Sequence, residues 1–180
     1  MVPEAPLEST EHGLVPAGEG WFVVNAREAR WFASDGLGLY TQFQGENARF
    51  PELGFSLAIL QPGEPSSMYH GEDAQEDFLV LAGECLLLVE GEERLLRPWD
   101  FVHCPNWTEH IFVGAGHGPC LLIGVGARTP GRGVRYVVHE VALRHGAGVE
   151  KETSDPKEAY GRYRDDWPIA CPEDFSRLAG

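Results

Sequence analysis

The residues best placed to do chemistry in this chain lie between Pro62 and His110. His70, Glu72 and Glu76 follow one another at spacings of two and four. In a strand, side chains so spaced share a face, so all three point the same way if the stretch is extended, and three potential ligands converge without any helix. A hairpin-like passage then separates them from His110, which stands behind Pro105. Imidazole nitrogen and carboxylate oxygen are ligands that divalent transition metals take. Each residue also has a plain alternative. His70 beside Tyr69 can be a turn histidine, and Glu72 and Glu76 can be solvated acids of the run Glu72-Asp73-Ala74-Gln75-Glu76-Asp77.

Strands must position such a set. Short apolar runs punctuated by Gly or Pro recur at residues 21–25, 30–32, 39–44, 55–60, 78–81, 85–89, 94–96, 100–104, 111–113, 120–125 and 134–138. Strands at such intervals, with no amphipathic helix of core length, predict a β-sandwich or barrel. Glu90-Gly91-Glu92-Glu93 predicts an exposed hairpin turn. Parity places Phe78 and Val80 on the face of Glu76, and Phe112 on that of His110, as lining for an apolar pocket. His103 takes the face opposite Val102 and Cys104, which sends it to the surface if they are inward. Phase is lost across Pro105 to Trp107, so a ligand or redox role for Cys104 stays open. Residues 1–20 predict an arm, 21–144 the β domain and 145–180 a polar tail, in which Asp155-Pro156 starts a short helix through Tyr160 to Arg164, ended by Trp167-Pro168.

Composition narrows the function classes. A chain of 180 residues suits one domain. Fourteen basic against twenty-eight acidic residues give a net charge of -14, which repels nucleic acid and anionic membrane surfaces. Arg128, Arg132 and Arg135 form a loose basic cluster, expected to pair with the abundant acids rather than bind an anion. Met1-Val2-Pro3-Glu4 shows no signal-peptide pattern, and no stretch approaches the roughly 20 apolar residues of a membrane span, so a soluble, cytoplasmic protein is expected. Cys85, Cys104, Cys120 and Cys171 contain no C-x-x-C pair and are expected as reduced thiols. His117, His139 and His145 show no paired spacing and default to the surface. No G-x-S-x-G, P-loop or dinucleotide fingerprint appears, which argues against hydrolase, NTPase and dehydrogenase readings.

The central stretch resembles the cupin superfamily, whose first motif runs G-x5-H-x-H-x3/4-E-x6-G and whose second runs G-x5-P-x-G-x2-H-x3-N. Glu76, six residues and Gly83 reproduce the end of the first motif, with Glu72 where the second His is usual and His70 two residues before it. In the second, Pro105 and His110 match, while Trp99 and Trp107 stand in place of the two glycines and Gly114 in place of Asn. The resemblance implies an all-β, double-stranded β-helix, or jelly-roll barrel, with an N-terminal arm and a short C-terminal helical tail. It also implies the ligand set His70, Glu72, Glu76 and His110, and a homodimer formed through N-terminal strands, here the strand expected at 21–25 with its arm.

Two imidazoles and two carboxylates suit one divalent ion, Zn, Fe, Mn, Co or Ni. With one Glu off the metal, His70, His110 and Glu76 form the two-His-one-carboxylate set of non-haem iron oxygenases, and Glu72 is left as a general base. The leading expectation is a metal-dependent enzyme on a small polar organic molecule, by dioxygenase-type oxidation or isomerase-type proton transfer, with Glu72 or Glu76 moving the proton. The alternatives are a non-catalytic module that binds or senses a small molecule, and a barrel without metal that serves in assembly. An open coordination position distinguishes a catalytic site from a closed structural one.

Overall fold

Alternating apolar side chains form strands here, and each strand is short because a Gly, a Pro or an acidic turn interrupts it. The structure, a computed structural model, describes residues 1–128, 130–163 and 165–178. In chain order the elements begin with β1 (Leu7–Thr10), β2 (Gly13–Pro16), β3 (Trp31–Ser34), β4 (Leu37–Thr41) and β5 (Leu53–Leu60). They continue with β6 (His70–Glu72), β7 (Glu76–Ala82), β8 (Glu84–Val89), β9 (Glu92–Leu96), β10 (Phe101–Cys104), β11 (His110–Ala115), β12 (Cys120–Ala127) and β13 (Val134–Tyr136). The tail carries α1 (Glu140–Arg144), α2 (Pro156–Ala159), β14 (Trp167–Ile169) and α3 (Glu173–Leu178). One antiparallel sheet has seven strands in the order β10-β7-β12-β5-β4-β3-β14, a second has five in the order β13-β6-β11-β8-β9, and β1 pairs with β2. This is the all-β jelly-roll architecture that the motifs imply.

Inward side chains from both sheets, among them Leu60, Val80, Cys85, Leu87, Phe112 and Leu122, make the core between them. Burying each of the larger ones contributes about 1.5–3 kcal/mol. The bend from β7 to β8 depends on Gly83. Its φ is +71°, and a Cβ there would lie 2.4 Å from the Pro119 carbonyl oxygen, so only glycine serves. The expected hairpin from β8 to β9 turns on Glu90 and Gly91, both at positive φ (48° and 79°), as a two-residue turn between twisted strands requires.

The termini depart from expectation in two places. Residues 1–20 are not a bare arm: β1 and β2 form a hairpin closed by the Thr10 hydroxyl, which donates to the Gly13 carbonyl at 2.7 Å and accepts from the His12 N–H at 3.2 Å. The strand expected at 21–25 does not form. Trp21 and Val23 are 51% and 77% exposed, and Asn25 ends the run by accepting from the Arg27 N–H at 2.9 Å. Exposure alternates along the run, with Phe22 and Val24 half-buried, but only Trp21 pairs with a neighbour, in an isolated bridge to Glu4, so no ladder of hydrogen bonds forms. The tail is integrated into the body. β14 extends the large sheet beside β3, and Phe175 of α3 packs on Trp31 with ring centroids 5.2 Å apart. α2 starts where Asp155-Pro156 predicted, the Asp155 carboxylate accepting from the Lys157 N–H at 2.9 Å. It ends at Ala159, and Arg164, the expected end, lies outside the described residues.

Candidate metal centre and its pocket

β6 and β11 are neighbours in the five-stranded sheet, and their register sets His70 directly opposite His110. Directly opposed residues project from the same face, so the imidazoles meet with ring centroids 5.5 Å apart. Glu72, two residues along β6, stays on that face, with Oε1 3.7 Å from His70 Nε2. Glu76 arrives differently. The expectation that His70, Glu72 and Glu76 share one strand face fails, because the chain changes sheets between Glu72 and Glu76. The Asp73 N–H donates to Gly133, and the Gln75 carbonyl accepts from the Ala127 N–H, which ties the crossing to both layers. Glu76 therefore faces the histidines from β7 on the opposite wall, its Oε2 3.5 Å from His110 Nε2.

Both rings are held in one tautomer. His70 Nδ1 lies 2.7 Å from the Met68 carbonyl, and His110 Nδ1 lies 2.9 Å from the Thr108 carbonyl. A carbonyl only accepts, so each Nδ1 carries the proton and each Nε2 presents its lone pair to a carboxylate. Burial, with His110 adding to it, lowers the His70 pKa to about 4. Burial likewise lowers that of His110. Both imidazoles are thus neutral at pH 7. The Glu76 carboxyl is pushed up to about 7, first by burial and then by the Glu72 charge, with Arg132 opposing. Glu72 Oε2 is buried with no hydrogen bond, although the Arg132 guanidinium lies 3.3 Å away, close enough for charge attraction but misaligned for a bond.

The donor chemistry fits a divalent ion: two neutral imidazoles with Nε2 free, and two carboxylates, one with an orphaned oxygen. Donors about 2.0–2.2 Å from an ion stand roughly 3.0–3.5 Å from one another, and the two His–Glu spacings of 3.5 and 3.7 Å are near that range. They remain two pairs. Among the described residues no three His, Cys, Asp or Glu side chains close on one point.

A cavity of about 600 Å³ opens beside these groups, bordered by His70, His110, Glu76, Phe78 and Phe112. Phe78 packs at a tilt against both His110 and Phe112, at 5.3 and 4.6 Å between ring centroids. Val80, expected beside Phe78, lies in the core instead. Cys104 stands opposite Glu76 in the β10–β7 pairing, so it shares the interior. Burial and then Glu76 push its thiol up to about 12, which leaves it protonated and poorly suited as a thiolate ligand. His103 is at the surface, bonded to Asp77 at 2.7 Å. Trp99 and Trp107 border neither the cavity nor its mouth. They are 74% and 43% exposed, yet both have the positive φ that favours glycine (76° and 67°).

Several site residues were not singled out by sequence reasoning. Tyr136 pairs opposite His70 from β13, ring centroids 5.7 Å apart. Tyr160, from the tail, bonds Ser67 at 3.0 Å and borders the cavity. The expected pairing of the basic cluster with acids holds for Arg132 with Glu72 and for Arg135 with Glu109. Parity along β12 would have placed Gly124 and Gly126 inward with Leu122, and the sequence signal was there in the alternation Gly124-Val125-Gly126-Ala127.

The profile of the Cupin domain family matches residues 56–126. A 5-nitrosalicylic acid 1,2-dioxygenase from a Bradyrhizobium species is 27% identical over 93 residues, covering 52% of this chain and 38% of the relative. The chain thus spans well under half the length of that enzyme. Among solved structures, a sugar phosphate isomerase of the cupin superfamily from Silicibacter pomeroyi is 28% identical, with a TM-score of 0.50 over 57% of this chain and 66% of that one. A cupin-like protein from Thermotoga maritima, 18% identical, has a TM-score of 0.50 over 67% of this chain and 90% of its own, a likeness of fold alone. Motif spacing, a two-sheet jelly roll and the match of residues 56–126 to the Cupin domain family agree, and the fold is a cupin jelly roll.

Proposed function

We propose that the protein is a metal-dependent cupin enzyme acting on a small organic molecule by dioxygenase-type oxidation, with one divalent ion held by His70, Glu72, Glu76 and His110. The observation that carries the reading is the pair of imidazoles whose Nδ1 protons are tied to backbone carbonyls, the arrangement by which outer partners orient metal-ligating histidines. When bound, such an ion polarises an oxygen of the bound molecule and offers it an open position. His70, Glu72 and His110 approach from the five-stranded sheet, with Arg132 steadying Glu72. Glu76 comes from the other sheet and borders the cavity, so it is the carboxylate placed to exchange a proton with a bound molecule. Phe78 and Phe112 keep water from that side of the site.

The likeness to a dioxygenase supports oxidation. Isomerase-type proton transfer is the second reading, supported by the Silicibacter pomeroyi neighbour and by the position of Glu76. Elemental analysis of protein purified without chelator is expected to return about one divalent ion per chain. Oxygen uptake with aromatic and sugar substrates then separates oxidation from isomerisation. Metal-free protein that cannot be reloaded would sink the reading, and bound metal without turnover of any substrate would favour the binding module. The proposal includes a homodimer, which sedimentation analysis checks directly.

A further inference from the structure

The inner face of the large sheet carries a trench that leads away from the metal centre. Register sets Ser56, Gly124 and Phe78 in one row and Gly54, Gly126 and Glu76 in the next. Arg128 follows Gly126 at the same parity. Three glycines and a serine thus stand where a barrel interior ordinarily carries branched side chains. The glycines let neighbouring side chains lie close on the sheet: a Cβ on Gly124 would lie 3.2 Å from the Phe78 ring and from Ser56 Oγ, and one on Gly54 would lie 3.3 Å from Arg128 Nε.

The trench joins two unlike ends. Its wide end is the 600 Å³ cavity, with Phe78, Phe112 and Leu122 on one side and Tyr160 and Tyr163 of the tail on another. The narrow end is a cavity of about 170 Å³ bordered by Glu72, Glu76, Arg128 and Arg132. Gln42, Ser56, Glu76, Phe78 and Gly124 border both, so the two adjoin beside the metal centre. The arginines differ in what they already hold. Arg132 faces Glu72 and donates to the Ala127 carbonyl at 2.9 Å. Arg128 is half-buried, and among the described residues its guanidinium makes no hydrogen bond or ion pair. A guanidinium with free donors at the end of a trench matches a carboxylate, which accepts two parallel N–H bonds. At the wide end Lys157 is offset by Asp165 and Asp166, a poor setting for a phosphate.

Resting on the metal-site reading above, we propose that the ligand is an aromatic carboxylate. Its ring lies in the wide cavity against Phe78 and Phe112, and its carboxylate is received by Arg128, which brings the ring past Glu76 and the two histidines.

The test titrates metal-loaded protein calorimetrically with benzoate, benzamide and ribose 5-phosphate, with metal content measured on the same samples. Benzoate is expected to bind at least about tenfold tighter than either of the others, and Arg128→Gln to weaken it about tenfold while leaving benzamide within about twofold. Ser56→Leu, which fills the trench without touching Arg128, is expected to weaken benzoate and benzamide alike. It also serves if Arg128→Gln melts early. Benzoate binding indifferent to both substitutions, or ribose 5-phosphate binding tightest, overturns the assignment. Metal retained with that outcome leaves the metal centre standing, whereas Arg128-dependent benzoate binding by a protein that holds no metal sinks the metal reading and keeps the ligand class.

Discussion

Replacing Glu76 by Gln in metal-free protein should make it more stable, by an amount that depends on pH. The Glu76 carboxyl is raised from 4.5 to about 7 by burial and by Glu72, and its side chain is only 19% exposed, so solvent screens little of the effect. At about 1.4 kcal/mol per pH unit, ionising it in the folded protein costs up to about 3 kcal/mol more than in the unfolded chain. Because the folded-state value is the higher one, the stability it contributes is complete below pH 4.5 and is lost as pH rises through 7. His70, lowered to about 4, acts in the opposite sense, its contribution being lost as pH falls from 6.5 towards 4, and it acts in both proteins. Urea unfolding in EDTA should therefore find the Gln variant about 3 kcal/mol more stable at pH 8 and level with wild type at pH 4. Divalent metal at a thousand times its Kd should reverse the order at pH 8, since it adds about 4.1 kcal/mol to a protein that binds it. A difference that does not change with pH, or a Gln variant less stable in EDTA at pH 8, would refute the claim that Glu76 is a strained, buried carboxylate.

His110→Ala should abolish metal retention while leaving a folded β protein, as elemental analysis and circular dichroism would check; loss of fold along with metal would mark the ion as structural. Trp99→Gly should raise stability by roughly 0.5–1 kcal/mol, because glycine relieves a φ of 76° at a side chain that is 74% exposed. The reverse change at the other kind of site, Gly83→Ala, should destabilise clearly, since its Cβ would lie 2.4 Å from the Pro119 oxygen; denaturant midpoints of both variants decide. Phe175→Ala should cost about 3–5 kcal/mol and shift the emission of Trp31, which Phe175 covers, if the tail is part of the folded body rather than an appendage.

Much of the site was legible because cupin spacing is punctuated by residues with one conformational use. Gly83 marks the bend after β7, and counting back from it finds Glu76, while Pro105 locates His110. The glycine signal failed at Trp99 and Trp107, where the left-handed backbone occurs under side chains that ordinarily avoid it. Strand parity carried Phe78 and Phe112 into the pocket correctly, since period-two alternation is local to one strand. It failed from Glu72 to Glu76, where three residues cross from one sheet to the other and the common face is lost.

Composition, strand spacing and the motif pair are properties of the chain in one dimension, and they determined an acidic all-β jelly roll with two histidines and two glutamates as its candidate donors. Tertiary structure alone decided that His70 sits opposite His110, that Glu76 answers them from the facing wall, and that Tyr160 and Arg128 stand at opposite ends of the space beside them. Those placements follow from register between strands distant in sequence and from a tail folded back over the sheet. Both are settled by packing two layers together, a constraint that no local run of residues carries.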